Sequence, residues 1–166
     1  MKTAFIIIDV QNILVETGFE TQKLLEKISY LQDQVRKQQI EIIYIQHIET
    51  EEALTSEDWK LSPLLKRQPD EKVFQKRYNS MFKETGLKEY LDQQGIEKLV
   101  LCGMQTEYCV DTSVKVAFEH GYKLVVPEGT VTTFDEDGIP AETINEFYEN
   151  IWDERFADVL DYKTIF

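Results

Sequence analysis

Leu99–Val110, LVLCGMQTEYCV, decides the fold. An apolar run with the pattern of a buried strand passes through Gly103 into a turn, and Cys109 falls in what reads as the first turn of a helix. Strand, glycine turn and helix together make the unit from which parallel α/β sheets are built. A thiol at a helix start lies among unpaired backbone N–H groups, at the positive end of the helix dipole, which favours the thiolate. Cys109 therefore stands where a nucleophile would be placed, although an unpaired cysteine also serves as a small buried packing residue.

The same alternation extends in both directions. Upstream, Thr3–Asp9 is a nearly continuous β-branched and aromatic run, as a central parallel strand covered on both faces requires. Thr21–Gln39 follows with Leu24, Leu25, Ile28, Leu31 and Val35 at helical spacing, then Glu41–His47 as a strand and Lys72–Lys76 as a short one. Between these two strands runs an irregular connection, Ile48–Glu71, with Pro63, Pro69 and an acidic cluster. Lys83–Gln94 reads as a helix stopped by Gly95, Glu97–Cys102 as a strand, and Glu107–His120 as a helix capped by Thr106 and stopped by Gly121. Tyr122–Val126 reads as a strand, Pro140–Trp152 as a helix and Ala157–Leu160 as a last strand. The expectation is α/β: a single-domain, three-layer αβα sandwich around a mostly parallel, Rossmann-like six-stranded sheet, spanning residues 1–166.

Composition narrows the function. The chain has 166 residues, enough for one core, and its net charge of −13 disfavours a nucleic acid or an anionic membrane as partner. A small-molecule substrate or another protein remains. The apolar run in MKTAFIIIDV is too short for a signal peptide or a membrane span, so a cytoplasmic protein is expected. Cys102 and Cys109, spaced C-x6-C, match neither a redox CxxC nor a zinc pattern, and no disulfide is expected.

Two charged residues share the setting of Cys109. Asp9 ends the first strand and Lys76 the third, and the C-terminal ends of parallel strands are where such sheets gather ligands and catalytic groups. The turn after Asp9 has neither G-x-G-x-x-G nor G-x-x-x-x-G-K-[ST], so dinucleotide and nucleoside triphosphate sites of those kinds are excluded. Taken singly, Asp9 suits a helix cap or solvated turn, and Lys76 a solvated edge. Their combination with Cys109 is the informative signal.

IIIDVQN at the first strand, YIQH at the second, KRYNSMFKETGLKEYL around the lysine and LVLCGMQTEYCVDTSVKVAFEHGYKLVVPEGT around the cysteine together resemble the isochorismatase-like cysteine hydrolases, among them nicotinamidases and N-carbamoylsarcosine amidases. The resemblance implies that Asp9, Lys76 and Cys109 match the family's catalytic triad, and that its cis peptide falls between Met104 and Gln105. It implies a nucleophilic Cys109, with Asp9 taking the proton, Lys76 stabilising the negative charge, and the backbone N–H groups of Gln105 and Cys109 receiving the oxyanion. Nicotinamidases of the family carry an Asp and His metal cluster after the second strand. Here QHIETEEALTSEDWK offers only His47 and carboxylates, so no catalytic metal and no cofactor are expected.

His47 is expected to orient the Asp9 loop or border the pocket, and Gln11, Ile13, Trp59, Tyr78, Phe82 and Tyr108 are candidate pocket walls. Ile13-Leu14 replaces an aromatic residue common in relatives, which bears on substrate shape. Cys102 is expected to be inert packing. The activity implied is a metal-independent amidohydrolase cleaving a small carboxamide. The alternatives are a vinyl-ether hydrolase of the isochorismatase type, a catalytically silent binding or assembly protein, and a redox sensor using both thiols. Relatives form dimers or tetramers. A homo-oligomer is expected here too, with contacts around Trp59 and the segment ending in Phe166.

Overall fold

The computed structural model describes residues 1–166. β1 (Thr3–Ile8) sends Ala4, Ile6 and Ile8 into one apolar core and Phe5 and Ile7 into another on the opposite face. Burial on both faces is why its sequence shows no polar alternation. A single turn, α1 (Asn12–Val15), leads to α2 (Thr21–Lys37), whose Leu24, Leu25, Ile28, Leu31 and Val35 cover the Phe5 side. β2 (Glu41–His47) and β3 (Lys72–Lys76) follow, separated by a connection containing short 3₁₀ turns.

α3 (Leu87–Gln94), β4 (Lys98–Met104), α4 (Asp111–Glu119) and β5 (Lys123–Pro127) continue the alternation, then β6 (Val131–Thr132), α5 (Ala141–Trp152) and β7 (Asp158–Leu160). Leu87, Leu91, Val114, Ala117 and Trp152 from these helices fill the Ile6 side, so the sheet is the middle of three layers. The long path of the sheet is β3-β2-β1-β4-β5-β7, all parallel.

The six strands on this path are those expected, and β6 is an addition. Its two residues pair with Gly103 and Met104 beyond the last residue of β4 that β5 reaches. A two-residue strand is too short to leave a periodicity in sequence. The helix expected from Lys83 begins only at Leu87, because Gly86 takes a left-handed backbone and Thr85 Oγ1 accepts from Leu87 N–H. Thr106 does not cap the cysteine helix. Its hydroxyl donates to Asn145 Oδ1 at 2.6 Å, and Thr106–Val110 forms a wide π turn before α4 starts.

The chain leaves β1 toward β2 and leaves β4 toward β5, in opposite directions along the sheet. The C-terminal ends of β1 and β4 therefore flank a topological switch point, where open parallel sheets leave a crevice. Gly103 brings these two strands close: at φ 126, any Cβ there would stand 2.0 Å from Ile8 O.

Candidate active site

Asp9 follows β1 directly and adopts a left-handed backbone at φ 50, which aspartate tolerates better than most residues, while its N–H still bonds Ile45 O at 3.0 Å. Lys76 is the last residue of β3, placed two strands away, and its aliphatic stem crosses the strand ends to reach Asp9. Cys109 rises from the π turn after β4. Asp9 and Lys76 are both about 1% exposed, and Cys109 is half-buried.

Lys76 Nζ is the hub. It lies 2.8 Å from Asp9 Oδ2 and 3.0 Å from each of Cys109 Sγ, His47 Nδ1 and the Tyr78 carbonyl. Three ammonium protons thus serve four acceptors. Asp9 Oδ1 is buried with no hydrogen-bond partner, and the Asp9, His47 and Cys109 ligand atoms all lie within 4.8 Å of one another.

One cation facing two potential anions sets the protonation. Burial pushes the Asp9 carboxyl above its usual value, with the Lys76 ammonium pulling the other way. Burial and the Asp9 charge push the Cys109 thiol up to about 12, against the opposing pull of Lys76. This runs against the thiolate that a helix start favours, since desolvation and a neighbouring carboxylate both oppose ionisation of the sulfur. Both influences favour the thiol over the thiolate at Cys109. Burial and Lys76 hold His47 below its ordinary value, so its neutral ring offers the Nδ1 lone pair to Lys76 and carries its proton on Nε2.

A nicotinamidase-type metal does not fit these residues. Asp9, His47 and Cys109 are the ligand-type groups that converge, and the Lys76 ammonium already bonds all three. In the segment after β2, Glu51 pairs instead with Arg77.

The family model for the isochorismatase domain matches residues 3–163. The chain belongs to the isochorismatase family. It is 30% identical over 159 residues to the isochorismatase family protein YddQ of Bacillus subtilis strain 168, covering 87% of this chain and 88% of that protein. The crystal structure of an isochorismatase family protein superposes with a TM-score of 0.92 at 30% identity, covering 96% of this chain and 98% of that one. A shorter stretch of 77 residues is 31% identical to Nicotinamidase 3 of Arabidopsis thaliana, covering 46% of this chain and 38% of that protein. The family is one of hydrolases, and this isochorismatase-family chain brings an Asp, a Lys and a Cys together at the switch point of its sheet.

The peptide between Met104 and Gln105 is cis, as the resemblance implies. Met104 is fully buried and Gln105 half-buried. Other candidates sit differently from expectation. Gln11 is fully buried, and its side chain is spent on backbone: Nε2 donates to His47 O and Trp59 O while Oε1 accepts from His47 N–H. It is a strap holding the Trp59 loop to β2, not a pocket wall. Phe82 also leaves the pocket, buried on the Ile6 side with its ring stacked on Tyr122 and edge-on to His120.

Trp59 does border the site, its ring 5.9 Å from that of His47. Ile13, Tyr78 and Tyr108 are exposed, and Tyr108 donates its hydroxyl to Glu136. Two surface cavities of about 540 and 530 Å³ are lined by none of Asp9, Lys76 and Cys109, and the chemistry of the site outweighs their size in locating function. Sequence reasoning missed Asn79, whose Oδ1 accepts from Cys109 Sγ at 3.9 Å, although it lies three residues past Lys76 in the same motif. Cys102 is fully buried and its thiol is pushed well above the usual value by desolvation, which leaves it inert. Phe166 packs edge-on against Phe5 of its own core.

Proposed function

We propose that the chain is a cysteine amidohydrolase that cleaves the C–N bond of a small carboxamide through a thioester on Cys109. The supporting observation is the placement of Lys76 Nζ between Asp9 Oδ2 and Cys109 Sγ, with Asp9 Oδ1 left as a buried acceptor free to take a proton.

Asp9 takes the thiol proton as the sulfur attacks the carbonyl carbon, and the positive charge of Lys76 passes from facing carboxylate to facing sulfur without leaving its place. A charge that is already positioned needs no reorganisation, which is what makes a thiol with a high resting pKa usable. The S–C bond forms, and the oxyanion is received by the backbone N–H groups of Gln105 and Cys109. The tetrahedral adduct then expels ammonia or an amine carrying the proton held by Asp9. Asp9, ionised again, takes a proton from water as its oxygen adds to the thioester. Collapse releases the acid and returns the proton to sulfur.

Ammonia release from a panel of small carboxamides tests this reading. Cys109→Ala should abolish turnover while retaining the wild-type thermal melt, and ammonia release by folded Cys109→Ala would remove the nucleophile from the scheme.

A further inference from the structure

The segments that leave the strand ends, residues 10–20, 48–62, 77–86, 105–110 and 133–140, form the rim around Cys109. They carry twelve carboxylates and three basic side chains, a net charge of −9 out of the chain's −13. All three bases are engaged. Lys60 pairs with Glu57, Arg77 pairs with Glu51, and Lys83 sits 3.9 Å over the Tyr78 ring. Within the site, Lys76 is held by Asp9, so their charges cancel toward an approaching molecule.

Acids lie on both flanks of the reacting atoms. Glu49 follows β2 closely enough to act on the His47 ring, and Glu107 and Glu136 adjoin the turn that carries Cys109, with Tyr108 donating to Glu136. The exposed Tyr108 ring stands among them, with half-buried Trp59 beside His47, and the Tyr78 ring already carries a cation, the Lys83 ammonium. Aromatic faces among carboxylates attract cations and offer a carboxylate nothing. The buried, unpartnered Asp9 Oδ1 calls for an N–H donor from the ligand, as an amide nitrogen provides.

We infer that the substrate is an amide bearing a separate cationic group, an ammonium or guanidinium, and that the acidic rim selects it over anionic amides. This rests on the amidohydrolase reading for the reacting end of the molecule and adds its charge class. The rim draws a cation inward by long-range field and repels a carboxylate. Discrimination is therefore expressed mainly in kcat/KM and is weakened by salt, since the Debye length falls from about 30 Å at 0.01 M to about 3 Å at 1 M.

Two measurements test it. The first needs no substrate: rates of Cys109 modification by aminoethyl, ethyl and sulfonatoethyl methanethiosulfonate at pH 7, each normalised to its rate with a free thiol, with buried Cys102 as internal control. The cationic reagent is expected to exceed the anionic one by about tenfold or more at low ionic strength, with the ratio falling toward one in 0.5 M salt. Equal normalised rates, or faster reaction of the sulfonate, overturn the inference.

The second compares ammonia release from 6-aminohexanamide, hexanamide and the monoamide of adipic acid, which share length and differ in charge. The expected order of kcat/KM is cationic, then neutral, then anionic. An anionic amide cleaved as well as the cationic one overturns the charge class while leaving the hydrolase intact. Cation-selective labelling with none of the three amides cleaved overturns simple amide hydrolysis while leaving the charge preference standing.

Discussion

Asp9→Asn separates the ionisation of Cys109 from its use in catalysis. The substitution keeps the shape of the side chain and removes the anion that faces Lys76 at 2.8 Å, which leaves the Cys109 sulfur, at 3.0 Å, as the partner for that ammonium. Asp9 and Cys109 lie within 4.8 Å, so the repulsion relieved on ionising the thiol is about 3.5 kcal/mol at an effective dielectric of 20. That corresponds to a fall of about 2.5 in the thiol pKa. From about 12 the thiol falls to roughly 9.5, and the thiolate fraction at pH 7.5 rises about 300-fold. The assay is alkylation by iodoacetamide across pH, located by peptide mass, with Cys102 as the unreactive reference. Expected together are faster alkylation of the variant near neutral pH and loss of ammonia release, because the group that accepts and returns the proton is gone. Alkylation of Asp9→Asn no faster than wild type at pH 7.5 would refute the electrostatic account, and retained turnover would refute the proton transfer.

The proposed scheme needs Asp9 ionised, and its carboxyl is pushed up by burial, so kcat/KM should rise with pH through a midpoint above the ordinary 3.8. Lys76→Met removes the charge that pulls Asp9 down and should lower kcat while moving that midpoint higher; an unmoved midpoint in a steady-state pH profile would show that Lys76 does not set it. Gly103→Ala places a methyl 2.0 Å from Ile8 O on a backbone at φ 126 and should cost ~3 kcal/mol or more, read as a lowered urea midpoint, whereas an unchanged midpoint contradicts the close approach of β1 and β4. Gln11→Ala leaves the His47 N–H without its buried acceptor, while the Trp59 carbonyl keeps only its bond from Gln46 Nε2, at a cost of about 1 to 3 kcal/mol. Amide hydrogen exchange should speed up from His47 to Trp59 and stay unchanged in α4; protection unchanged at His47 would deny Gln11 its strapping role.

The alternation of strands and helices, and the places of Asp9 and Lys76 at strand ends and of Cys109 in the turn that follows β4, were determined by sequence alone, because hydrophobic periodicity and glycine stops act over a few residues and leave a local imprint. β6 left none, since two residues carry no period. Phe82 could not be assigned from sequence because an aromatic beside a functional segment reads alike whether it lines a pocket or, as here, packs on Tyr122. Gln11 likewise looked like a polar pocket residue until its three backbone bonds were seen.

Only the tertiary structure decided the electrical state of the site. A helix start read locally favours the thiolate, while the folded chain surrounds Cys109 with Asp9, Lys76 and His47 from the ends of three other strands and removes water from them. Desolvation and Coulomb energy depend on distances through space between residues far apart in sequence. That Asp9, Lys76 and Cys109 belong together was therefore legible in the sequence, and how their neighbours bias the proton between them was not.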